Sequence, residues 1–346
     1  MVDKLRVGIA GYGVVGKRRR ECIDRNPHLD TVAVSDRKLP TGTMTDGVRS
    51  YSDPLTLLDD QLDAVFVSLP NDLAPHVSIA ALQRGFHVFC EKPPGRDVED
   101  ILAVREEERR HPELKLKYGF NHRYHDSVIQ AKKLIENNSL GQLVNLKGVY
   151  GKSRIVSFSS DWRTRRRDAG GGILLDQGIH LLDMMRLFAG DFTDISSFIS
   201  NNYWNHDVED NAYALMRTSQ GVVAMVHSSA TQWRHQFRLE IALTEGAIVL
   251  GGILSGSKSY GDETMTTIVK SAEEGAMPVE KTTKYDFDHS WQDEINEFTE
   301  AILRDKPIRY GNSEDALRTM ELVYRIYCAD QNWQRRFDLK CPTMPE

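Results

Sequence analysis

Long apolar runs are missing from this chain. No stretch approaches the length a membrane span needs, and the start, Met1-Val2-Asp3-Lys4, passes straight into a short strand-like segment without an apolar leader. The expectation is a cytoplasmic protein with no membrane partner. Cysteine is scarce as well: Cys22, Cys90, Cys328 and Cys341 lie far apart, with neither metal-ligand nor redox spacing, which predicts reduced thiols and no metal site. Basic charge is not in excess either. With 44 Lys and Arg against 50 Asp and Glu, the net charge of -6 argues against nucleic acid as a partner. Internal repeats and low-complexity tracts are also absent.

What remains is an ordinary globular composition, 40% hydrophobic and 27% charged, over 346 residues. That length predicts two domains. Near the N-terminus, Leu5 to Ala10 reads as a strand running into Gly11-Tyr12-Gly13-Val14-Val15-Gly16, followed by a helical segment to about Asn26. In this setting G-x-G-x-x-G is a dinucleotide signature: the first glycine permits the turn, the second admits a pyrophosphate, and the third lets helix and strand pack closely. A second strand, Thr31 to Ser35, ends at Asp36, where a carboxylate would bind the adenosine ribose and disfavour a 2'-phosphate. NAD is therefore the expected cofactor. Arg37 and Lys38 follow directly and keep NADP open, because a guanidinium can clamp that phosphate.

The next strands run from Ala64 to Leu69, ending in Pro70-Asn71, and from His87 to Cys90, ending in Glu91-Lys92-Pro93-Pro94. Strands alternating with helices at this pace predict a doubly wound parallel sheet, whose ligands bind beyond the carboxyl ends of the strands. Gly11, Asp36, Asn71 and Lys92 all fall there. Asp97 caps a helix to about Arg110, and a strand from Leu114 to Tyr118 closes the domain near Phe120.

From Asn121 the pattern changes to one helix, Ser127 to Asn137, and six strand-like runs between Leu143 and Leu250, separated by turns such as Ser219-Gln220-Gly221. This predicts a large, mostly antiparallel sheet. Apolar residues at consecutive positions in Val222-Val223-Ala224-Met225-Val226 suggest that both its faces are partly dry, as in a homodimer or homotetramer joined through the sheet. A last helical region, from Ser313 as N-cap to about Arg335, is expected to pack back on the first domain.

The sheet is interrupted from Asp161 to Gly190. Behind Gly170-Gly171-Gly172 comes an apolar helical stretch that places Asp176 and His180 on one face, with Asp183 a turn further on. A carboxylate and an imidazole in such company either hold two elements together or do chemistry. Ahead of them, Trp162-Arg163-Thr164-Arg165-Arg166-Arg167 places four arginines in five positions. They form either a solvated basic loop or, with the helix N-terminus, an anion site.

Taken together, the glycine fingerprint, Pro70-Asn71, Glu91-Lys92-Pro93, Asn121-His122-Arg123-Tyr124, Asp161-Trp162-Arg163, and Asp176 with His180 behind a glycine run resemble the glucose-fructose oxidoreductase and inositol dehydrogenase (Gfo/Idh/MocA) family. The resemblance implies an α/β chain: a Rossmann domain over 1–120, a substrate-binding and oligomerisation α+β domain over 121–312, and a C-terminal helix over 313–346. It implies that Lys92, Asp176 and His180 form the catalytic group, and that Asn121, Arg123 and Tyr124 help bind substrate; Arg165 joins them if the arginine cluster is an anion site. Pro70, Asn71, Glu91, Lys92, Trp162 and Arg163 would join the glycine loop, Asp36 and Arg37 at the cofactor. The spacing between Pro70-Asn71 and His76 departs from the family pattern, which leaves His76 without an assigned role.

The function expected is hydride transfer between nicotinamide and a secondary alcohol or ketone of a sugar, nucleotide sugar or cyclic polyol. His180 suits the proton, since imidazole titrates near neutral pH, and Lys92 suits the developing alkoxide; which of them moves the proton stays open. The arginines favour an anionic, nucleotide-linked substrate. Two other outcomes share these residues in part: a redox-assisted glycosidase that recycles bound NAD, and a non-catalytic dinucleotide sensor.

Overall fold

Seven strands form the first sheet of the computed structural model, which describes residues 4–154, 161–255, 259–271, 273 and 275–343. Met1 to Asp3, part of the chain start read above, lie outside the described residues. The strands are β1 (Leu5–Ala10), β2 (Leu29–Ser35), β3 (Gly42–Thr43), β4 (Arg49–Tyr51), β5 (Ala64–Val67), β6 (His87–Cys90) and β7 (Leu116–Tyr118). Their order is β3-β4-β2-β1-β5-β6-β7, parallel throughout except for the short β3–β4 pair. Ala64-Val65-Phe66-Val67 is apolar without alternation, as a strand covered on both faces must be. The chain winds outward from β1 in both directions, so the Gly11 turn sits at the topological switch point.

The chain divides into two compact units. The first comprises Met1–Asn121, Arg167–Gly170 and Trp291–Leu317, and the second His122–Arg166, Gly171–Ser290 and Arg318–Glu346. The first unit therefore recruits a helix from late in the chain, Ser290–Leu303, which the strand-and-turn reading did not anticipate. Its Phe298 meets the stacked rings of Phe66 and Phe89 edge-on at 5.8 and 5.6 Å, inside the core formed by Val7, Ile9, Ile23 and Val34.

The second sheet has eight strands: β8 (Leu143–Ser153), β9 (Phe192–Ser200), β10 (Asn211–Thr218), β11 (Val223–Gln232), β12 (Gln236–Leu243), β13 (Gly246–Gly251), β14 (Glu263–Val269) and β15 (Val279–Tyr285). Their order is β15-β14-β13-β12-β8-β11-β10-β9, and only β8 and β11 run parallel. The helix Ile179–Ala189 covers β8 and β11 on one face. On the other, Phe198, Tyr213 and Leu215 stay 78%, 48% and 56% exposed. In β11 the burial alternates, with Ala224 and Val226 buried and Val223 outward, so the consecutive apolar residues there serve two faces.

Two expectations are corrected. The helix Ser313–Ala329 is capped by Asn312, whose side chain accepts from Asp315 N at 2.9 Å, rather than by Ser313. Cys328 and Cys341 are bonded as a disulfide, whereas Cys22 and Cys90 are free and buried. The physical reason lies in the chain path: the helix stops at Ala329, Asp330 caps a second short helix, Gln331–Phe337, and Asp338 turns left-handed. That return brings the two Cα atoms to 5.8 Å, a separation no sequence spacing announces.

Buried charge marks the first unit. Arg19, 1% exposed, packs against the rings of Phe89 and Trp291 and pairs with Glu91 at 2.5 Å and Glu294 at 2.9 Å. Burial pushes the Glu294 carboxyl up to about 7, although Arg19 and Lys117 pull the other way. Because folding raises this group above its ordinary value of 4.5, its contribution to stability is complete below that value and is lost as pH rises through about 7. Glu294→Gln is therefore expected to gain in melting temperature relative to the unmutated protein between pH 5 and pH 8. A difference that stays constant across that range in thermal scans would contradict this.

Candidate functional site

In the first unit the site begins at the β1 turn. Gly11 has φ +96, and a Cβ there would lie 2.3 Å from Ser68 O; one on Gly16 would lie 2.0 Å from Gly11 O. Both positions exclude a side chain by close backbone approach. Around Gly13 the space is open, with no atom within 4 Å of a built Cβ. The helix Val14–Arg25 starts there without a side-chain cap, and Val14 is 89% exposed. Open glycine backbone, uncapped N–H groups and a bare apolar side chain fit a dinucleotide pyrophosphate and its flanking sugar.

Tyr12 and Val15 complete the loop, their neighbour Arg20 reaching the Tyr12 hydroxyl at 3.4 Å. Asp36 stands at the end of β2, half-buried, and accepts from Lys38 N at 2.9 Å, while Arg37 and Lys38 are exposed. Pro70 opens the turn after β5, and Asn71 donates to Ala169 O at 2.8 Å, so its amide already holds chain. His76 is exposed on the helix Ala74–Gln83. Glu91 is gripped by Arg19, and Lys92 follows it, half-buried, before a cis peptide to Pro93. Asn121, the last residue of this unit's first segment, is buried.

In the second unit the glycine run meets a buried acid. Glu209 accepts from Gly172 N at 2.7 Å, Leu174 N at 2.9 Å and the Tyr327 hydroxyl at 2.7 Å. Burial raises its carboxyl above the usual range, against the pull of Tyr327 and Arg166. A Cβ on Gly172 would strike Glu209 O at 2.1 Å, so only glycine lets this contact form. The chain then makes a π turn, Leu174–Gly178, before the α-helix Ile179–Ala189. The sequence predicted one α-helix here; the π turn places Asp176 in a wider coil than His180, a device frequent at functional sites.

His180, 5% exposed, lies face to face with His122, ring centroids 3.8 Å apart and planes 12° apart. His122 Nε2 is 3.2 Å from the Tyr150 hydroxyl, and its edge meets His125, whose Nδ1 lies 2.7 Å from Glu263. Asp183, fully buried, accepts from Arg123 Nε and Nη2, each at 2.7 Å, and from the Thr319 hydroxyl. Tyr124 is buried beside them in sequence. The guanidinium expected at substrate is thus in a bidentate buried pair, which sequence alone did not couple to Asp183.

Among the arginines, Arg163 stacks at 4.4 Å on Trp162 and pairs with Asp161, and Arg166 lies 4.3 Å over Phe337. Arg165 is exposed. His122 and Glu209 were not singled out from sequence: one was a letter within a longer motif, the other an acid in a polar stretch. Among the described residues no group of His, Cys, Asp or Glu could hold a metal, and no helix is long and apolar enough to cross a membrane.

Comparison with known proteins adds two family matches: "Oxidoreductase family, NAD-binding Rossmann fold" over residues 5–120 and "GFO/IDH/MocA C-terminal domain" over residues 128–249. Levoglucosan dehydrogenase of Pseudarthrobacter phenanthrenivorans is 26% identical over 72% of this chain and 74% of its own. A dTDP-3,4-didehydro-2,6-dideoxy-alpha-D-glucose 3-reductase of Actinomadura kijaniata is 24% identical over 93% and 94%. The solved structure of levoglucosan dehydrogenase with NADH and levoglucosan superposes with TM-score 0.84 at 22% identity, covering 96% and 98%.

The Arg123–Asp183 pair yields a test. Arg123→Ala leaves a buried carboxylate without its bidentate partner and is expected to lower unfolding free energy by about 3–5 kcal/mol in denaturant titration. A loss under about 1 kcal/mol would mean that Arg123 is not a structural clamp.

Proposed function

This chain belongs to the Gfo/Idh/MocA oxidoreductase family, and from that premise we propose that it moves hydride between NAD and a secondary alcohol or ketone of a sugar, nucleotide sugar or cyclic polyol. The observation that carries the reading is the His180 imidazole, buried at the head of a helix that follows an anchored glycine turn, in a chain whose other unit ends a strand at Glu91-Lys92. Oxidising an alcohol requires the hydroxyl proton to leave with the hydride. His180 takes that proton, Lys92 stabilises the oxygen as it becomes an alkoxide, and Asp176 orients substrate hydroxyls. When bound, the nicotinamide accepts or supplies the hydride. The glycine loop and Asp36 hold its pyrophosphate and adenosine ribose, with NADP a weaker alternative.

Substrate class is read from the relatives and the arginine loop. One relative's name carries a neutral anhydrosugar and another a nucleotide-linked sugar, so both belong in a panel with myo-inositol. Arg165→Ala should lower kcat/KM for the nucleotide sugar alone. Lys92→Ala and His180→Ala should each lower turnover of the best substrate by roughly 10² or more while NADH affinity changes far less. Near-normal turnover in both variants would remove these two residues from the site.

Assembly follows from the outward face of β9 and β10. Tyr213 stands opposite Phe198 in register and stacks on His227 at 3.9 Å, with Leu215 two residues along. Such a patch supports sheet-to-sheet packing in a symmetric dimer, alone or doubled to a tetramer. Light scattering at micromolar concentration should give a dimer or larger, and Phe198→Glu with Leu215→Glu a monomer. A monomeric unmutated protein would refute the interface.

A further inference from the structure

We propose that His122 is a positioning residue for His180, its ring fixing the plane of the neighbouring imidazole by stacking and keeping the two from carrying protons together. The inference rests on the reading of His180 as the proton-handling group, and goes beyond it by naming what sets that group's behaviour. The geometry is specific. Two imidazoles at 3.8 Å and 12° form a parallel stack, and both are nearly buried. His122 is itself held: its Nε2 meets the Tyr150 hydroxyl, and its edge rests on His125. Neither contact leaves the ring free to swing away from His180.

Charged groups near the pair are themselves engaged. Arg123 is balanced by Asp183, and His125 faces Glu263. Burial works against the Glu263 carboxylate, yet the hydrogen bond and charge of His125, with Ser127, hold it below the usual range. Tyr150 and Tyr260 have hydroxyls that burial raises above their ordinary range, so both stay neutral, and burial together with Lys152 lowers His235. Asp176 lies one turn back along the same helical stretch and bears on both tyrosines. Within this setting a second proton on the stack meets a like charge across one ring thickness, which disfavours it. The stack therefore carries at most one proton at a time.

The first arm of the test needs no substrate. Histidine ring resonances are followed by NMR from pH 5 to pH 9 in the full chain, with assignments from His122→Phe and His180→Phe. Phenylalanine keeps a stacking ring and removes the charge. The ring that takes its proton second is expected to rise in midpoint by about half a unit or more when the other is replaced, His180 in His122→Phe or His122 in His180→Phe, because only the second proton meets the charge of the first. If either phenylalanine variant fails to fold, the alanine variant at the same position takes its place. On the best substrate, the acidic limb of the kcat/KM profile should move up with His180 in His122→Phe, and His122→Ala should lose more of kcat than His122→Phe. Midpoints unmoved in both phenylalanine variants would overturn the proposal. If His180→Ala keeps its turnover while the midpoints still move, the catalytic reading fails and the coupling stands.

Discussion

A buried carboxylate organises the second unit. Glu209 gathers two backbone N–H groups of the glycine turn and the hydroxyl of Tyr327 around one charge, and the turn it fixes leads directly into the Asp176–His180 segment. Each of those donors would otherwise be buried without an acceptor, at a loss of about 1–3 kcal/mol per group. Gly172 is glycine for this contact, Tyr327 comes from a helix near the C-terminus, and the π turn starts at Leu174, the second anchored N–H. The placement of the candidate base is thus a consequence of where one acid is buried.

The first unit uses charge differently. Arg19, on the helix that follows the glycine loop, carries a guanidinium held between aromatic rings and shared by Glu91 and Glu294. Burial outweighs the pull of Arg19 and Lys117 and pushes the Glu294 carboxyl up to about 7. The same contact ties the glycine-loop helix to the residue just before Lys92. Cofactor cradle and candidate cation therefore share a rigid mount, which suits a reaction that depends on fixed distances between reacting atoms.

Sequence patterns reported what is local. The strand, turn and helix around Gly11-Tyr12-Gly13 appear at nearly the expected residues, because the glycines and the uniform apolar run admit few alternatives. Strands β14 and β15, the outermost pair at one side of the second sheet, escaped notice because Thr264, Thr266, Thr267, Thr282 and Thr283 leave no clear apolar stripe to read. His122, Glu209 and the Cys328–Cys341 bond depend on partners brought in by tertiary folding, and nothing in their own neighbourhoods announced them. Arg123 was legible as part of a motif, but its clamp on Asp183 was not, since the partner lies on another element.

The central claim is hydride transfer from a substrate carbon to nicotinamide. It is tested most directly by a single turnover with excess enzyme, NAD and a substrate deuterated at the carbon to be oxidised, with the cofactor isolated and weighed by mass spectrometry. The expected result is deuterium on the nicotinamide ring, one per product formed, slowed by the label and nearly abolished in His180→Ala. Product formed with no deuterium in the cofactor would contradict the account.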